Sequence, residues 1–305
     1  MSVVENQEAA VEEQPKKERR FPFLEGPKWE KYKLHRRFDR IGRLYGDAKM
    51  KKLMDSHVMV IGLGGVGSYA AEMIVRSGIG KVTLVDFDEI CVTNVNRQLH
   101  AMQGMVGKQK ALVLKERFAK VNPKANIEAI TAFYNYESAE ELLSHKPDYI
   151  IDAIDSVTSK AHLLDNCIKR GIKVVCCSGS AGKMDPTQIK IADLAETRID
   201  PLARMMRKIL RGKYGYPRKG KMGIPTVYST EPVTAPVDLH YDNGEGFRCV
   251  CPQGDNPYFQ CDNRNVIHGS AGFVTGSFGF TAASIVVRDI TEAQFWAQQE
   301  EKPGD

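Results

Sequence analysis

The sequence lacks the cysteine pattern of a secreted protein or a zinc ribbon. Its seven cysteines are an odd number, and no two of them form a CxxC pair. An odd count argues against a disulfide framework, and a zinc ribbon needs two CxxC pairs because four thiolates close its tetrahedral site. We therefore predict no protein-held metal centre. A three-thiolate site at Cys249, Cys251 and Cys261 is the alternative, although this spacing is unlike that of a zinc ribbon.

Long, purely apolar runs are also missing. The first 20 residues carry five glutamates and no apolar segment, so we expect no signal peptide and a cytoplasmic location. The longest stretch without Asp, Glu, Lys or Arg spans residues 265–287. Because it contains His268 and four glycines among Ser and Thr, we predict a buried helix at about 273–288 rather than a membrane span.

Composition indicates one folded domain with two tails. Hydrophobic residues make up 42% and charged residues 27%, which excludes a wholly disordered chain and a multi-span membrane protein. Residues 1–35 are rich in Glu, Gln, Lys and Pro without apolar periodicity, as is typical of a flexible tail. We predict a domain over 36–290, interrupted by an irregular insert at 236–265, and a second tail over 291–305.

Apolar strands alternate with amphipathic helices along the domain. Strands are predicted at 58–61, 82–85, 127–131, 149–154 and 172–176, and helices at 66–77, 108–120 and 159–170, with a short helix after Ser138, which has capping-box spacing to Glu141. Continuously apolar strands separated by helices indicate a mostly parallel sheet covered on both faces. The predicted fold is a Rossmann-like, doubly wound α/β domain with a C-terminal extension.

A glycine-rich loop follows the first predicted strand. Gly62, Gly64 and Gly67 form GxGxxG between a strand and a helix, and Asp86 closes the next strand. The glycines permit a tight turn, close approach of backbone to phosphate, and packing of helix on strand, while the carboxylate can bind ribose hydroxyls. The helix start also favours an anion. The sequence therefore predicts a nucleotide site.

Two cations after this motif favour a triphosphate over a dinucleotide. Arg97 and Lys110 would lie near the strand ends, and concentrated positive charge suits a phosphate group that is attacked during the reaction. The competing interpretations are a nicotinamide dehydrogenase, or two solvated surface cations without a catalytic role.

These residues together resemble the adenylating enzymes related to ubiquitin-activating enzyme, which include the molybdopterin-synthase and thiamine-biosynthesis adenylyltransferases. The resemblance is carried by the glycine loop 62–67, Asp86, Asn96-Arg97-Gln98, Lys110 and the segment 152–155. Segments 43–46, 91–94, 152–156, 185–188 and 278–280 further resemble the tRNA threonylcarbamoyladenosine dehydratase branch. The missing CxxC pairs favour that branch over the sulfur-carrier branch.

The resemblance implies an ATP site, with Mg²⁺ as cofactor and a monovalent cation as a further candidate. Its nucleotide-binding residues would be Gly62, Gly64, Gly65, Gly67, Asp86, Asp88, Asn94, Arg97, Gln98, Lys110 and Asp155, and its catalytic residues Arg97, Lys110, Asp155 and Arg43. The arginine before the first strand acts on the partner's site in these dimeric enzymes, so the resemblance implies a homodimer. Arg40 is the alternative to Arg43, and a sulfur-transfer protein is a further candidate partner.

Residues 201–221 carry eight cations and no carboxylate. Such a run with interleaved tyrosines suits phosphate contacts and base stacking, although a solvated helix is the simpler interpretation. The predicted RNA-binding residues are Arg204, Arg207, Lys208, Arg211, Lys213, Tyr214, Arg218, Lys219 and Lys221.

The implied reaction is a ligase-type, ATP-dependent cyclisation of threonylcarbamoyladenosine next to the anticodon of tRNA, through adenylation of the threonyl carboxylate. The principal alternative is an adenylyltransferase that activates the C-terminus of a ubiquitin-like sulfur carrier. A nucleotide-sensing RNA-binding or scaffold protein with a degenerate site is the alternative from a different class.

Overall fold

The computed structural model describes residues 36–237, 239 and 268–292. The chain divides into two compact units, residues 1–39 and 40–305, and the fold below is that of the second. The predicted tail 1–35, nearly all of the insert 236–265 and residues 293–305 lie outside the described residues. So do Cys249, Cys251 and Cys261, and the alternative of a thiolate metal site there stays a prediction.

A mostly parallel sheet forms the centre of the domain. Its seven described strands are β1 His57–Ile61, β2 Lys81–Val85, β3 Asn126–Ile130, β4 Tyr149–Asp152, β5 Lys173–Cys177, β6 Ile189–Asp193 and β7 Pro225–Ser229. They are ordered β3-β2-β1-β4-β5-β7-β6, and among these strands β6 runs antiparallel to β7 while the other neighbours pair in parallel. The predicted doubly wound α/β fold is confirmed.

Helices cover both faces of the sheet. They are α1 Asp39–Asp55, α2 Gly67–Arg76, α3 Lys110–Val121, α4 Ala139–Ser144, α5 Val157–Arg170, α6 Pro201–Lys213 and α7 Gly272–Glu292. Alternate strand residues such as Met59 and Ile61 form one apolar cluster with the buried side of α4, α5 and α6. On the other side α2 packs against α3 and α7. Every parallel strand pair is thus connected through a helix, as parallel pairing requires.

The structure confirms the short helix after Ser138, which is its N-cap residue, but corrects the predicted capping box. No capping box forms at Ser138, because its hydroxyl donates to the carbonyl of Phe133 (2.7 Å) and makes no side-chain cap of α4. The Asn135 Oδ1 atom instead accepts from the backbone N–H groups of Glu137 and Ser138, both at 2.9 Å. An Asx turn thus begins this helix in place of the capping box.

The glycine-containing helix α7 lies inside the fold, as predicted. Gly272–Thr291 is long and apolar enough to cross a membrane by length and composition, but 61% of its apolar window is buried. A Cβ atom at Gly272 would stand 2.5 Å from the Asn96 carbonyl oxygen, and one at Gly279 would stand 2.4 Å from that of Val66. These glycines therefore allow α7 to approach the start of α2 and the loop around Asn96, between β2 and α3, more closely than larger residues could.

Candidate nucleotide-binding site

The glycine loop joins β1 to α2 in the geometry that the motif predicts. Gly62 adopts φ +88°, and a Cβ atom there would stand 2.6 Å from the Ala153 carbonyl oxygen. A Cβ atom at Gly67 would stand 1.7 Å from the carbonyl oxygen of Gly62, so helix and strand meet without room for a side chain. A Cβ atom at Gly64 would have Gln98 Nε2 as its nearest neighbour, at 3.9 Å. Space above the backbone at Gly64 is therefore open, as a phosphate-binding loop requires.

Asp86 ties the end of β2 to this loop. Its Oδ2 accepts the Leu63 N–H (2.6 Å), and its Oδ1 accepts the Asp88 N–H (2.8 Å). Burial raises the pKa of Asp86, while the Lys110 ammonium and these two hydrogen bonds act in the opposite direction. Each carboxylate oxygen keeps a further lone pair. Asp86 can therefore accept ribose hydroxyls while it fixes the loop.

Lys110 interacts electrostatically with three of the acids predicted for the nucleotide site. Its Nζ lies 2.7 Å from Asp88 Oδ2, and its side chain is buried. Burial by itself lowers the pKa of Lys110, but the carboxylates of Asp86, Asp88 and Asp155 raise it above its ordinary value. The ammonium is therefore charged, and it stands where a nucleotide phosphate could replace Asp88 as its partner.

The loop that carries Arg97 lies against the glycine loop. A Cβ atom at Gly65 would stand 3.3 Å from the Arg97 carbonyl oxygen. The guanidinium donates to the Thr93 carbonyl (2.8 Å) and to Asn96 Oδ1 (2.9 Å), which holds it within its own loop. Asn94 is buried, and its Oδ1 accepts the Cys91 N–H (3.0 Å). In this structure Asn94 shapes the turn from which Arg97 projects.

A buried ion pair behind the site is the feature that sequence reasoning missed. The Lys160 ammonium lies 2.9 Å from Asp152 Oδ2, and both side chains are fully buried. It also donates to the carbonyls of Asp152 (3.3 Å) and Ile154 (3.1 Å). Burial lowers the pKa of Lys160, but the Asp152 carboxylate outweighs this effect and raises it. Lys160 therefore fixes the turn after β4, which leads to the exposed Asp155.

Lys160 gave no signal in the sequence, because a lysine beside Ala161 and Leu163 on an amphipathic helix is ordinarily solvated. The one available hint was the acid at the end of an apolar strand, Asp152, which needs a partner when it is buried.

Most of the predicted RNA-binding residues are exposed in the structure. The helix predicted to begin at Pro201 is confirmed as α6, with Arg204 and Lys208 exposed. Arg207 is turned inwards, where its guanidinium bonds the Thr197 hydroxyl and the Leu194 carbonyl. Lys213, Arg218, Lys219 and Lys221 are exposed, while Arg211 and Tyr214 are half-buried. The Arg211 side chain donates to the Pro217 carbonyl (3.2 Å).

Arg40 and Arg43 both lie exposed on α1, which breaks at Gly46 with φ 73°. The break lies within the segment 43–46 on which the choice of Arg43 rests. Which of the two acts on a partner's site stays a prediction.

The chain is similar to known proteins over most of its length. The ThiF family profile matches residues 38–300. The tRNA threonylcarbamoyladenosine dehydratase of Haemophilus influenzae is 42% identical over 253 residues, which cover 82% of this chain and 92% of that protein. The crystal structure of the Escherichia coli tRNA N6-threonylcarbamoyladenosine dehydratase with ATP matches with TM-score 0.73 and 36% identity, covering 90% of this chain and 98% of that one.

The sulfur-carrier branch is more distant. The molybdopterin-synthase adenylyltransferase of Escherichia coli is 30% identical over 133 residues, or 44% of this chain. The fold, the glycine loop with its acids and cation, and the family match over residues 38–300 agree, and the chain belongs to the ThiF family.

Proposed function

We propose that this protein is an ATP-dependent tRNA threonylcarbamoyladenosine dehydratase. The observation that carries the proposal is the buried Lys110 ammonium, which is paired with Asp88 and attracted by the charges of Asp86 and Asp155, together with the open space above Gly64. A charged lysine and an open glycine loop suit a nucleotide phosphate, and the similar structure from Escherichia coli was solved with ATP. The similarity to the dehydratases also covers 82% of the chain, whereas the similarity to the sulfur-carrier enzymes covers 44%.

The reaction consists of two substitutions. The threonyl carboxylate of the modified adenosine attacks the α-phosphorus of ATP, and pyrophosphate leaves. A nucleophile within the same modification then attacks the activated carbonyl, a ring closes and AMP leaves, so the nucleoside loses one water. Because the second attack is intramolecular, its effective concentration is high and it needs no enzyme nucleophile.

The described residues can divide the work as follows. The backbone of the glycine loop and the start of α2 bind phosphate, and Asp86 binds ribose. Lys110 and Arg97 stabilise the charge that develops on the phosphates. Asn94 and Gln98 hold the Arg97 loop in place.

Asp155 suits Mg²⁺ because it is exposed at the end of the turn after β4, which Lys160 fixes. Among the described residues, no three His, Cys, Asp or Glu side chains form a site that could hold a metal by themselves. An ion held by one carboxylate and the phosphates of ATP is the usual arrangement for Mg²⁺, whose charge would offset that of the phosphates.

We also propose a homodimer in which Arg43 reaches the partner's phosphates, with tRNA bound along the exposed cations of residues 204–221. The support is the exposure of Arg43 on α1 and the absence of carboxylates from residues 201–221.

The test is incubation of the purified protein with ATP, Mg²⁺ and tRNA that carries threonylcarbamoyladenosine, followed by mass spectrometry of the nucleosides. We expect a product that is lighter by one water, together with AMP and pyrophosphate. Lys110→Met should abolish turnover while tRNA binding is kept. Unchanged nucleoside with the wild-type protein contradicts the proposal, and exchange of pyrophosphate that requires a Gly-Gly-ended carrier protein instead of tRNA would support the alternative.

A further inference from the structure

Four side chains from three separate elements form an aromatic and cationic cluster beside the proposed RNA surface. Tyr136 comes from the loop between β3 and α4, His162 from α5, and Lys213 and Tyr214 from the end of α6. We refer to these four residues as the tyrosine platform. Tyr136 and His162 lie outside the basic segment 201–221, and the nucleotide site does not involve any of the four.

Tyr136 has one covered face and one open face. Its ring centroid lies 3.9 Å from that of His162, with 37° between the planes, so the imidazole covers one face. Lys213 Nζ lies 2.6 Å from the Tyr136 hydroxyl oxygen but 5.0 Å from the ring centroid, which places the ammonium at the hydroxyl edge. Tyr136 is nevertheless 51% exposed. With one face against His162 and the hydroxyl edge against Lys213, the face opposite His162 is left as the one that a ligand could cover.

The platform is held rigidly. The Tyr136 and Tyr214 hydroxyl groups are hydrogen bonded at 2.8 Å, although the residues are 78 positions apart. Lys213 and Lys169 stand 5.4 and 5.7 Å from the Tyr214 ring centroid, within the range of cation–π attraction. The bonds from Lys213 and Tyr214 also lower the pKa of Tyr136. A tyrosine ring fixed by its hydroxyl and by one face needs little further ordering when a ligand covers its other face.

The loop that carries Tyr136 begins at the same edge of the sheet as the nucleotide site. Phe133, three residues earlier, packs edge-to-face on Phe87, with the centroids 5.0 Å apart. Phe87 directly follows Asp86. The platform is therefore connected through one aromatic contact to the residue expected to bind ribose.

We propose that the open face of Tyr136 stacks on an unpaired base of the RNA substrate, while Lys213 contacts a phosphate next to that base. The proposal rests on the proposed function and adds a binding site to it. Charge favours RNA as the occupant: the nearby acids Asp165 and Glu140 are paired with Lys169 and Arg170. The exposed Glu137 is outnumbered by the cations of α6. Any base has a π-face, so stacking does not require a particular sequence.

The first experiment measures affinity for tRNA carrying threonylcarbamoyladenosine by fluorescence anisotropy at fixed salt. Tyr136→Leu should weaken binding about 5- to 150-fold, the loss that corresponds to the ~1–3 kcal/mol of one base–aromatic stack. Tyr136→Trp should retain binding because it keeps a stacking surface. Affinity for ATP should be unchanged in both variants. Leu112→Ala, which truncates an exposed apolar side chain of α3 on the other helical layer, is the matched control and should bind tRNA as the wild type does.

The second experiment detects stacking directly and does not depend on turnover. The chain has two tryptophans, Trp29 and Trp296, which are replaced by Phe so that Tyr136→Trp becomes the sole fluorophore. Addition of tRNA should quench its emission, as expected for an indole covered by a base. Addition of ATP alone should leave the emission unchanged.

The outcomes separate this inference from the proposed function. If wild-type protein converts the tRNA but Tyr136→Leu, folded with an unchanged melting temperature, binds it with wild-type affinity, the platform is wrong and the function stands. Unquenched emission with saturating tRNA would equally reject the platform. If the wild-type protein neither binds nor converts the tRNA, both proposals fail.

Discussion

At the scale of single residues, the buried pair Lys160–Asp152 is the most consequential feature. Taking two charges out of water is costly, and their mutual attraction compensates only when geometry and further hydrogen bonds are good. Here the ammonium contacts the carboxylate and two carbonyl oxygens of the same turn. The Ala153 carbonyl of that turn is what Gly62 packs against. One buried charge pair therefore holds the turn after β4, which packs against Gly62 and leads to Asp155.

We expect Lys160→Met to destabilise the protein by about 3–5 kcal/mol, because it leaves the Asp152 carboxylate buried without its counter-charge. The double variant Lys160→Met/Asp152→Asn removes both charges and should recover a large part of that loss. The free energy of unfolding is measured by urea denaturation. A single variant that loses under about 1 kcal/mol would show that Asp152 does not depend on the pair.

At the scale of elements, the packing of α7 on α2 decides where the phosphate-binding loop lies. A Cβ atom at Gly279 would approach the Val66 carbonyl oxygen to 2.4 Å and the Ala70 nitrogen to 2.8 Å. Val66 is the N-cap of α2 and lies within the glycine motif. Helix α7 thus supports a glycine loop that lies far from it in the sequence, and the family match over residues 38–300 includes both.

Gly279→Ala should therefore cost about 1–3 kcal/mol of stability, the usual penalty of overpacking, and weaken ATP binding through the displaced loop. Gly212→Ala is the matched control. It changes a glycine in α6 whose added Cβ atom would have no heavy atom within 4 Å, and it should stabilise the protein by roughly 0.5–1 kcal/mol. The melting temperature and the affinity for ATP are measured for both variants. Equal changes of the melting temperature in the same direction would contradict the packing argument.

At the scale of the whole molecule, charge is distributed unevenly. The formal net charge is +5, yet residues 201–221 alone carry eight cations, so the remainder of the chain is slightly acidic. The exposed members of this set lie on α6 or in the segment that follows it, and the buried side of α6 packs with that of α4 and α5. An acidic body with one basic surface favours a single orientation of a polyanion.

If tRNA binds this surface, its affinity must fall steeply with salt as counterions are released. Arg204→Ala/Lys208→Ala should reduce the slope of log affinity against log salt concentration by about 0.7 for each phosphate that the variant no longer neutralises. Lys115→Ala/Lys120→Ala removes two exposed cations of α3 and serves as control with the same net charge. Equal slopes for the two double variants would place the tRNA elsewhere.

The sequence by itself determined the features that depend on local chemistry. The spacing of Gly62, Gly64, Gly67 and Asp86 specified the strand, turn and helix of the nucleotide site, because a tight turn and a phosphate loop each exclude side chains. His268 and the glycines of the uncharged stretch 265–287 indicated a buried helix, and Gly171 in the left-handed region ended α5 as predicted.

Only the tertiary structure decided which polar groups meet. It buried Lys160 with Asp152, turned Arg207 inwards to Thr197, and joined Tyr136 to Tyr214. The cause is that a charged or aromatic side chain has the same local pattern whether solvent or a distant residue satisfies it. Its partner is fixed by the packing of elements far apart in the chain, which periodicity and spacing do not encode.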